Sequence, residues 1–496
     1  MTNEHTDGAG TMHHLLVVGG GPAGISAARA AAGAGLAVTL VDERPTLGGQ
    51  IYKQPGPGFT VDDPAAMDAQ FRTGRALIES LPDEVTVLLR TSVVAVEGPD
   101  VVVVTEGQHA RTLHAPRLVI APGAHDRPVV FPGWTLPGVI TAGGLQTLAK
   151  TQRILPGERM VFAGSGPVAL AFPAQLAQYG APAGAKVVTA LEAGPPPGPA
   201  DVARIGRAAM GNTGLLRDAA RYRATLLRHR VPLKYGRIVV RAEGDGRVER
   251  VVHAAVDTDW RVIPGTEETV EADVLCLGYG FVPSIELFRL VGCDFDYDED
   301  LGGPVVRRDQ WQRTTAPGVY CAGDGAGVEG SFVAIDTGQI AGLAAALDAG
   351  AIDSREAHAA ARPARHRLAR RRALTAATGR LYRVGPGIYE LSTPDTVVCR
   401  CEAVRQADLQ PAIESTADIS VVKAYTRAGM GPCQGKNCQR QIAALITHEH
   451  GGAITDVPLA TPRMPIRPVP IGAIADYTIV GPTLFLPDDP ERGPAA

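Results

Sequence analysis

The stretch HLLVVGGGPAGISAARAAAGAG, His14 to Gly35, decides the fold. Its apolar opening reads as a short buried strand, its glycines as a tight turn, and its alanine-rich remainder as a helix. Gly19 permits the turn, Gly21 lets backbone approach a pyrophosphate, and Gly24 lets helix pack on strand. Pro22 and Ala23 open the helix, whose unpaired N–H groups and positive partial charge face phosphate. A second strand, AVTLVDE, ends in Asp42 and Glu43. Asp42 lies eighteen residues beyond Gly24, where an acid can bond a ribose hydroxyl. Glycines alone are a weak signal; strand, loop, helix, strand and acid in that order make a nucleotide-binding unit.

The pattern recurs in RMVFAGSGPVALAFPAQLAQYG, Arg159 to Gly180, with Gly164 and Gly166 in the turn. The next strand, KVVTALEA, carries Glu192 at its end. An acid there suits the free 2′-hydroxyl of NAD and would repel the 2′-phosphate of NADP. Another adenine nucleotide, or a loop kept only for architecture, stays open beside NAD.

At 496 residues the chain exceeds what one core holds. Hydrophobic content of 45% and charged content of 20% fit a globular protein, and a net charge of −4 carries no nucleic-acid signal. No apolar run reaches membrane-spanning length, and the polar opening MTNEHTDGAGTM lacks a signal peptide's apolar middle, so a cytoplasmic setting is expected. Gly-rich and Ala-rich runs anticipate close backbone packing. The basic run RPARHRLARRR, Arg362 to Arg372, is expected to be a solvated helix face, with a docking patch as the alternative. His125, just past the segment Leu118 to Ala124, is the one histidine that could neighbour a bound cofactor; a surface or packing role is expected. No Ser/His/Asp set or paired carboxylates announce a catalytic centre, so no catalytic residue is assigned.

Seven cysteines are too few and too uneven for a disulfide framework. Cys276, Cys293 and Cys321 are isolated in apolar segments and read as small buried side chains, which excludes disulfide reduction. The other four form Cys399-x-Cys401, a gap of thirty-one residues, then Cys433-x4-Cys438. Four soft thiolates suit tetrahedral zinc or a [2Fe–2S] cluster. Structural zinc sites favour CxxC knuckles, and this spacing departs from them at both ends.

Three further segments bear on the cofactor: LGGQIY (Leu47 to Tyr52), LVIAPGA (Leu118 to Ala124) and TTAPGVYCAGDGAG (Thr314 to Gly327). Together with the first glycine loop they resemble the two-dinucleotide-domain flavoproteins of the glutathione reductase superfamily. That resemblance implies an α/β fold binding FAD, with Gly49, Gln50, Ala121, Gly123, Gly323 and Asp324 in contact with it. Asp324 would take a hydroxyl of the ribityl chain. The segments TVVCRCE and DISVVKAYTRAGMGPCQGKNC resemble the small helical [2Fe–2S] module of bacterioferritin-associated ferredoxin, which implies Cys399, Cys401, Cys433 and Cys438 as iron ligands.

The whole combination, with FPGWTLPGVITAGG (Phe131 to Gly144), resembles α-type subunits of heteromeric flavin dehydrogenases and oxidases of amines and amino acids. These include α-type subunits of octopine and nopaline oxidases, of hydroxyproline and proline dehydrogenases, and of hydrogen cyanide synthase. The resemblance implies that C–N oxidation occurs in a separate oxidase-like β flavoprotein. It allows for an interfacial FMN, a small third subunit and a peripheral link to an electron-transport chain. The expected layout is an FAD domain in two parts (13–153 and 301–350) around a second nucleotide domain (154–300). A linker (351–394), the small mainly helical four-Cys domain (395–455) and an extended tail (456–496) follow. A self-contained NAD(P)H-dependent reductase feeding a ferredoxin-like acceptor is the competing enzyme reading, and a redox sensor the non-catalytic one.

Overall fold

The computed structural model describes residues 14–480 apart from 57, 65–66, 99, 108, 211–212 and 380. The polar opening and positions 481–496 of the expected tail lie outside the described residues.

The first glycine loop joins strand His14–Val18 to helix Pro22–Gly33. That strand lies inside a five-stranded parallel sheet, between Leu118–Ile120 and Ala37–Val41, with Val319–Cys321 and Thr86–Leu88 at the edges. Strand Val319–Cys321 returns from late in the chain, so the two parts of the FAD domain share one sheet. Helix Pro22–Gly33 crosses helix Ser331–Asp348 at backbone distance. A β-carbon on Gly338 would sit 2.1 Å from the Ala23 carbonyl oxygen, and one on Gly342 2.3 Å from that of Ala27. The close packing anticipated from the Gly- and Ala-rich runs is this crossing.

The second five-stranded parallel sheet holds Arg159–Gly164 between Lys186–Glu192 and Val274–Gly278, with Leu233–Tyr235 and Val139–Thr141 outermost. The expected boundary at 153/154 therefore needs correction. Val139–Thr141 pairs with Leu275–Leu277, so the segment around FPGWTLPGVITAGG belongs to the second domain. At the other end, Phe281–Pro283 pairs with Ala124–Asp126, and Leu287 and Phe288 pack in the core of the FAD part before position 300.

The basic run is corrected too. Helix Ser354–Gly379 turns several of its arginines inward. Arg367 Nε donates to Asp336 Oδ1 at 2.8 Å, Arg371 reaches the other oxygen, Arg372 pairs with Glu329 at 2.8 Å, and Arg365 lies 4.0 Å over the Trp311 ring. The Asp336 side chain is wholly buried, and burial raises its pKa in spite of both guanidiniums, so this carboxylate depends on them. Asp336→Ala is expected to lower stability by about 2 kcal/mol, since it strands two partly exposed arginines. A lower urea midpoint with flavin content retained would check this.

The four-Cys module comprises the small hairpin Val397–Cys399 with Val404–Arg405 and helices Gln406–Ser415, Ile419–Thr426 and Gln439–His450. Its apolar residues, including Val398, Leu409, Ile442 and Ile446, share one core with Trp134, Trp260 and Tyr279 of the second domain. Beyond it the chain runs along the FAD part: the Ile466 N–H donates to the Val94 carbonyl at 2.9 Å, and Arg467 pairs with Glu43 at 3.3 Å. The expected extended tail is interrupted by helix Ile471–Val480, whose Ala473 joins an apolar cluster with Ala95 and Val104.

Candidate functional site

The first loop is built for close approach of a phosphate. Gly19 has φ +104°, and a β-carbon there would meet the Ala121 carbonyl oxygen at 2.2 Å. At Gly24 a β-carbon would lie 1.7 Å from the Gly19 carbonyl oxygen. The LGGQ turn closes from the side: the Gly48 N–H donates to the Gly20 carbonyl at 2.9 Å, and Gly49, at φ +62°, places its β-carbon position 2.8 Å from the Gly21 Cα. Gln50 is exposed beside it. Gly123 has φ +73°, and its carbonyl accepts from the Ser284 N–H. Gly323 packs on Ala23, and Asp324 Oδ1 accepts from the N–H groups of Glu329 and Gly330 at 3.0 and 2.8 Å. The structure thus brings the glycine loop, the LGGQ turn, Ala121–Gly123 and Gly323–Asp324 to one end of the parallel sheet, where Val18, Val41, Ile120 and Cys321 end their strands.

Asp42 stands at the end of its strand and is engaged there by the chain's own backbone. Its Oδ2 accepts from the Gly20 N–H at 2.6 Å and its Oδ1 from the Arg44 N–H at 2.7 Å, so it braces the loop. Burial raises its pKa while the two N–H groups oppose this. Glu43 projects with its side chain half exposed.

In the second loop Glu192 is 3% exposed; its Oε2 accepts from the Gly166 N–H at 3.1 Å and its Oε1 from the Gly194 N–H at 2.8 Å. Burial pushes its pKa from 4.5 up to about 7 against those donors. Because the folded value lies above the unfolded one, protonation favours folding. That contribution is full below about 4.5 and disappears as pH rises through about 7. Glu192→Gln is expected to flatten the stability profile across this window by on the order of 3 kcal/mol. Urea midpoints at pH 5 and pH 8 would check it.

Cys399 closes the hairpin strand, Cys401 lies in the turn after it, and Cys433 and Cys438 flank a loop that ends at helix Gln439–His450. The thiols lie in two pairs, Cys399 with Cys438 and Cys401 with Cys433, and Cys438 and Cys401 each feel a thiol of the other pair. Left-handed residues wrap the loops around them: Ala403 at φ +54°, Arg427 at +64°, Gly429 at +88°, Gln434 at +52° and Gly435 at +83°. The Gly429 N–H points at Cys399 Sγ, 3.5 Å away. A β-carbon on Gly431 would lie 2.3 Å from the Cys401 Cβ. The Cys438 hydrogen bond and nearby N–H groups hold the Cys399 thiol down at about 5, and the Cys438 thiol is pushed up. Among the described residues, no three His, Cys, Asp or Glu side chains close around a point as a single metal ion requires.

Several groups around these sites were missed or undervalued by sequence reasoning. His125, directly after Ala124, turns its ring toward the Lys436 carbonyl, and burial pushes its pKa down to about 4. Lys436 Nζ pairs with Glu286 at 3.0 Å, and Arg440 donates to the Gly302 carbonyl. Arg127, its side chain 2% exposed, joins Glu299 at 3.2 Å to the Tyr389 hydroxyl at 2.8 Å. A cavity of about 70 Å³ lies among His125, Glu286, Lys436 and Arg440. Lys53, three residues past Gln50, is 5% exposed and donates to the Gly143 carbonyl at 3.0 Å and Thr147 Oγ1 at 2.6 Å; burial lowers its pKa to about 7. Only a spacing argument from the LGGQ turn would have singled out Lys53. Cys276, Cys293 and Cys321 are all buried, as expected. Among the described residues no helix is long and apolar enough to cross a membrane.

Two parallel nucleotide-type sheets, the first with a loop shaped for a dinucleotide's phosphates, define a dinucleotide-binding oxidoreductase fold. Residues 13–350 match the pyridine nucleotide-disulphide oxidoreductase family, and the chain belongs to it. Residues 394–477 match the sarcosine oxidase A3 domain. The chain is 34% identical to hydrogen cyanide synthase subunit HcnB of Pseudomonas aeruginosa, over 92% of this chain and 97% of that one. It is 30% identical to an opine oxidase subunit of Agrobacterium tumefaciens, over 93% and 91% respectively. The solved structure of L-proline dehydrogenase from P. horikoshii covers 95% of the chain, and the chain covers 81% of it, with TM-score 0.64 and 20% identity; that likeness speaks for the fold. The protein is an FAD-dependent oxidoreductase of the kind that forms subunits of amino-acid and opine oxidases and dehydrogenases.

Proposed function

We propose that this chain is the electron-transfer subunit of a heteromeric oxidoreductase that oxidises a C–N bond of an amino acid, cyclic imino acid or opine. The observation that carries the reading is the gathering of four thiols, in two pairs, on a chain that also builds an FAD cradle. Two thiolate pairs suit the two irons of a [2Fe–2S] cluster, and the nearby N–H groups suit its sulfurs. When bound, FAD supplies two-electron chemistry and the cluster single-electron transfer.

The chain's own residues hold and orient these groups. Gly19, Gly21 and Gly24 with the N-terminus of helix Pro22–Gly33 would take the pyrophosphate. Asp42 gives each oxygen one N–H of the loop and keeps a further acceptor site for a ribose hydroxyl, with Glu43, paired to Arg467, beside it. Asp324 keeps Oδ2 for the ribityl chain, its Oδ1 being held by Glu329 and Gly330. The contacts Lys436–Glu286 and Arg440–Gly302 fix the four-Cys loop against the flavin end, which one-electron transfer over short range requires. An oxidase-like β flavoprotein would carry the substrate pocket, since the cyanide synthase and opine oxidase relatives are themselves subunits of larger enzymes.

Purifying the chain alone and with its oxidase-like partner, then following dye reduction by proline, hydroxyproline, opines and glycine, tests this. Turnover is expected from the complex only. Full amine oxidation by the isolated chain would contradict it.

A further inference from the structure

The second glycine loop has the sequence of a nucleotide site, but the chain lies across its mouth. Leu381 and Tyr382 belong to the turn that follows helix Ser354–Gly379. A β-carbon placed on Gly166 would stand 3.8 Å from the Cβ and Cγ of Tyr382. One placed on Gly194 would stand 2.8 Å from the Leu381 carbonyl oxygen. In a dinucleotide-binding loop the second glycine is bare so that a pyrophosphate can approach its backbone. Here a tyrosine side chain makes that approach. Glu192 also holds the N–H of this same glycine at 3.1 Å, so a backbone donor at the point of approach is already engaged.

The first loop differs on both counts. The neighbour of Gly21 is the Cα of Gly49, 3.7 Å from its β-carbon position, with no side chain interposed. Its acid, Asp42, engages the N–H of Gly20 and leaves that of Gly21 alone. One loop is open to a nucleotide and the other is covered.

The covering turn is firmly held. Leu381 is 8% exposed. The Gly387 N–H donates to the Asp259 carbonyl at 2.9 Å, and β-carbons on Gly385 and Gly387 would come within 2.4 and 2.5 Å of the Asp259–Arg261 backbone. Ile388 then enters the core shared by the second domain and the four-Cys module. The segment over the loop is therefore the leash of the module, anchored on both sides of Tyr382.

We propose that the second nucleotide loop is closed by Leu381–Tyr382, takes no dinucleotide, and serves as the seat that holds the linker to the four-Cys module. Electrons then do not enter this chain from NAD(P)H. This closure depends neither on which metal the cysteines hold nor on the substrate proposed above.

The test is titration of NADH into the flavin-loaded full chain, followed calorimetrically, with bound flavin as the measure of intact fold. The unmodified chain and Tyr382→Phe, which keeps the ring, are expected to show no saturable binding at millimolar NADH. Tyr382→Ala uncovers Gly166 and is expected to gain affinity by about tenfold or more, bringing binding into range. Saturable micromolar binding by the unmodified chain would overturn the proposal. So would a folded, flavin-loaded Tyr382→Ala that binds no better than Tyr382→Phe. If Tyr382→Ala does not fold, hydrogen exchange on the unmodified chain decides: amides of 381–388 are expected to exchange slowly and unchanged by NADH. Fast exchange there, or a change on adding NADH, would count against closure.

Discussion

Gly24→Val is expected to yield a chain that purifies without flavin. The position tolerates no side chain: even a β-carbon would lie 1.7 Å from the Gly19 carbonyl oxygen and 3.3 Å from Val17. To fit valine, the helix must back away from the strand and carry its N-terminal N–H groups off the phosphate position. The added strain is about 3 kcal/mol or more by the scale of overpacked cores. The expected readout is loss of the flavin absorption bands, with a folded second domain retained. Gly33→Ala is the control: its β-carbon would meet nothing within 4 Å, and flavin content should stay unchanged. Full flavin occupancy in Gly24→Val would mean that FAD is held elsewhere.

Cys433→Ser is expected to remove iron almost completely while sparing the flavin. Cys433 pairs with Cys401 on the open side of the thiol group, where Cys401 is exposed and Cys433 partly so. Serine keeps the size of the side chain, so the hairpin and the core around Val398 and Ile442 should persist. Iron is expected to fall from about two per chain to near zero, since an alkoxide is a poor substitute for a soft thiolate. The flavin should still accept electrons in the complex, while transfer onward to a one-electron acceptor falls by about a hundredfold or more. Unchanged one-electron output in an iron-free variant would remove the cluster from the route.

The features legible in the sequence are those that a short stretch imposes on itself. Gly19 and Gly24 are glycine because neighbouring backbone leaves no room, and that demand shows in a six-residue window. The four cysteines are legible because thiolate chemistry leaves few other reasons for them to cluster. What escaped depends on partners far along the chain. Val139–Thr141 is a strand only because Leu275–Leu277 lies beside it, and three residues show no periodicity. The arginines of 362–372 read as a solvated face because nothing local reveals Asp336 and Glu329 waiting on other elements. Asp42 and Glu43 are adjacent acids, and only the positions of the Gly20 and Arg44 N–H groups and of Arg467 separate the one that braces the loop from the one that pairs at the surface. Tyr382 carried no signal at all: its role arises because a turn some two hundred residues away from Gly166 folds back onto it.

The most direct test is metal and acid-labile sulfide analysis of the anaerobically purified chain, paired with electron paramagnetic resonance after dithionite reduction. About two irons and two sulfides per chain, with a signal appearing on reduction and absent from Cys433→Ser, is the expected result. Stoichiometric zinc, no labile sulfide and no signal on reduction would contradict the electron-transfer role.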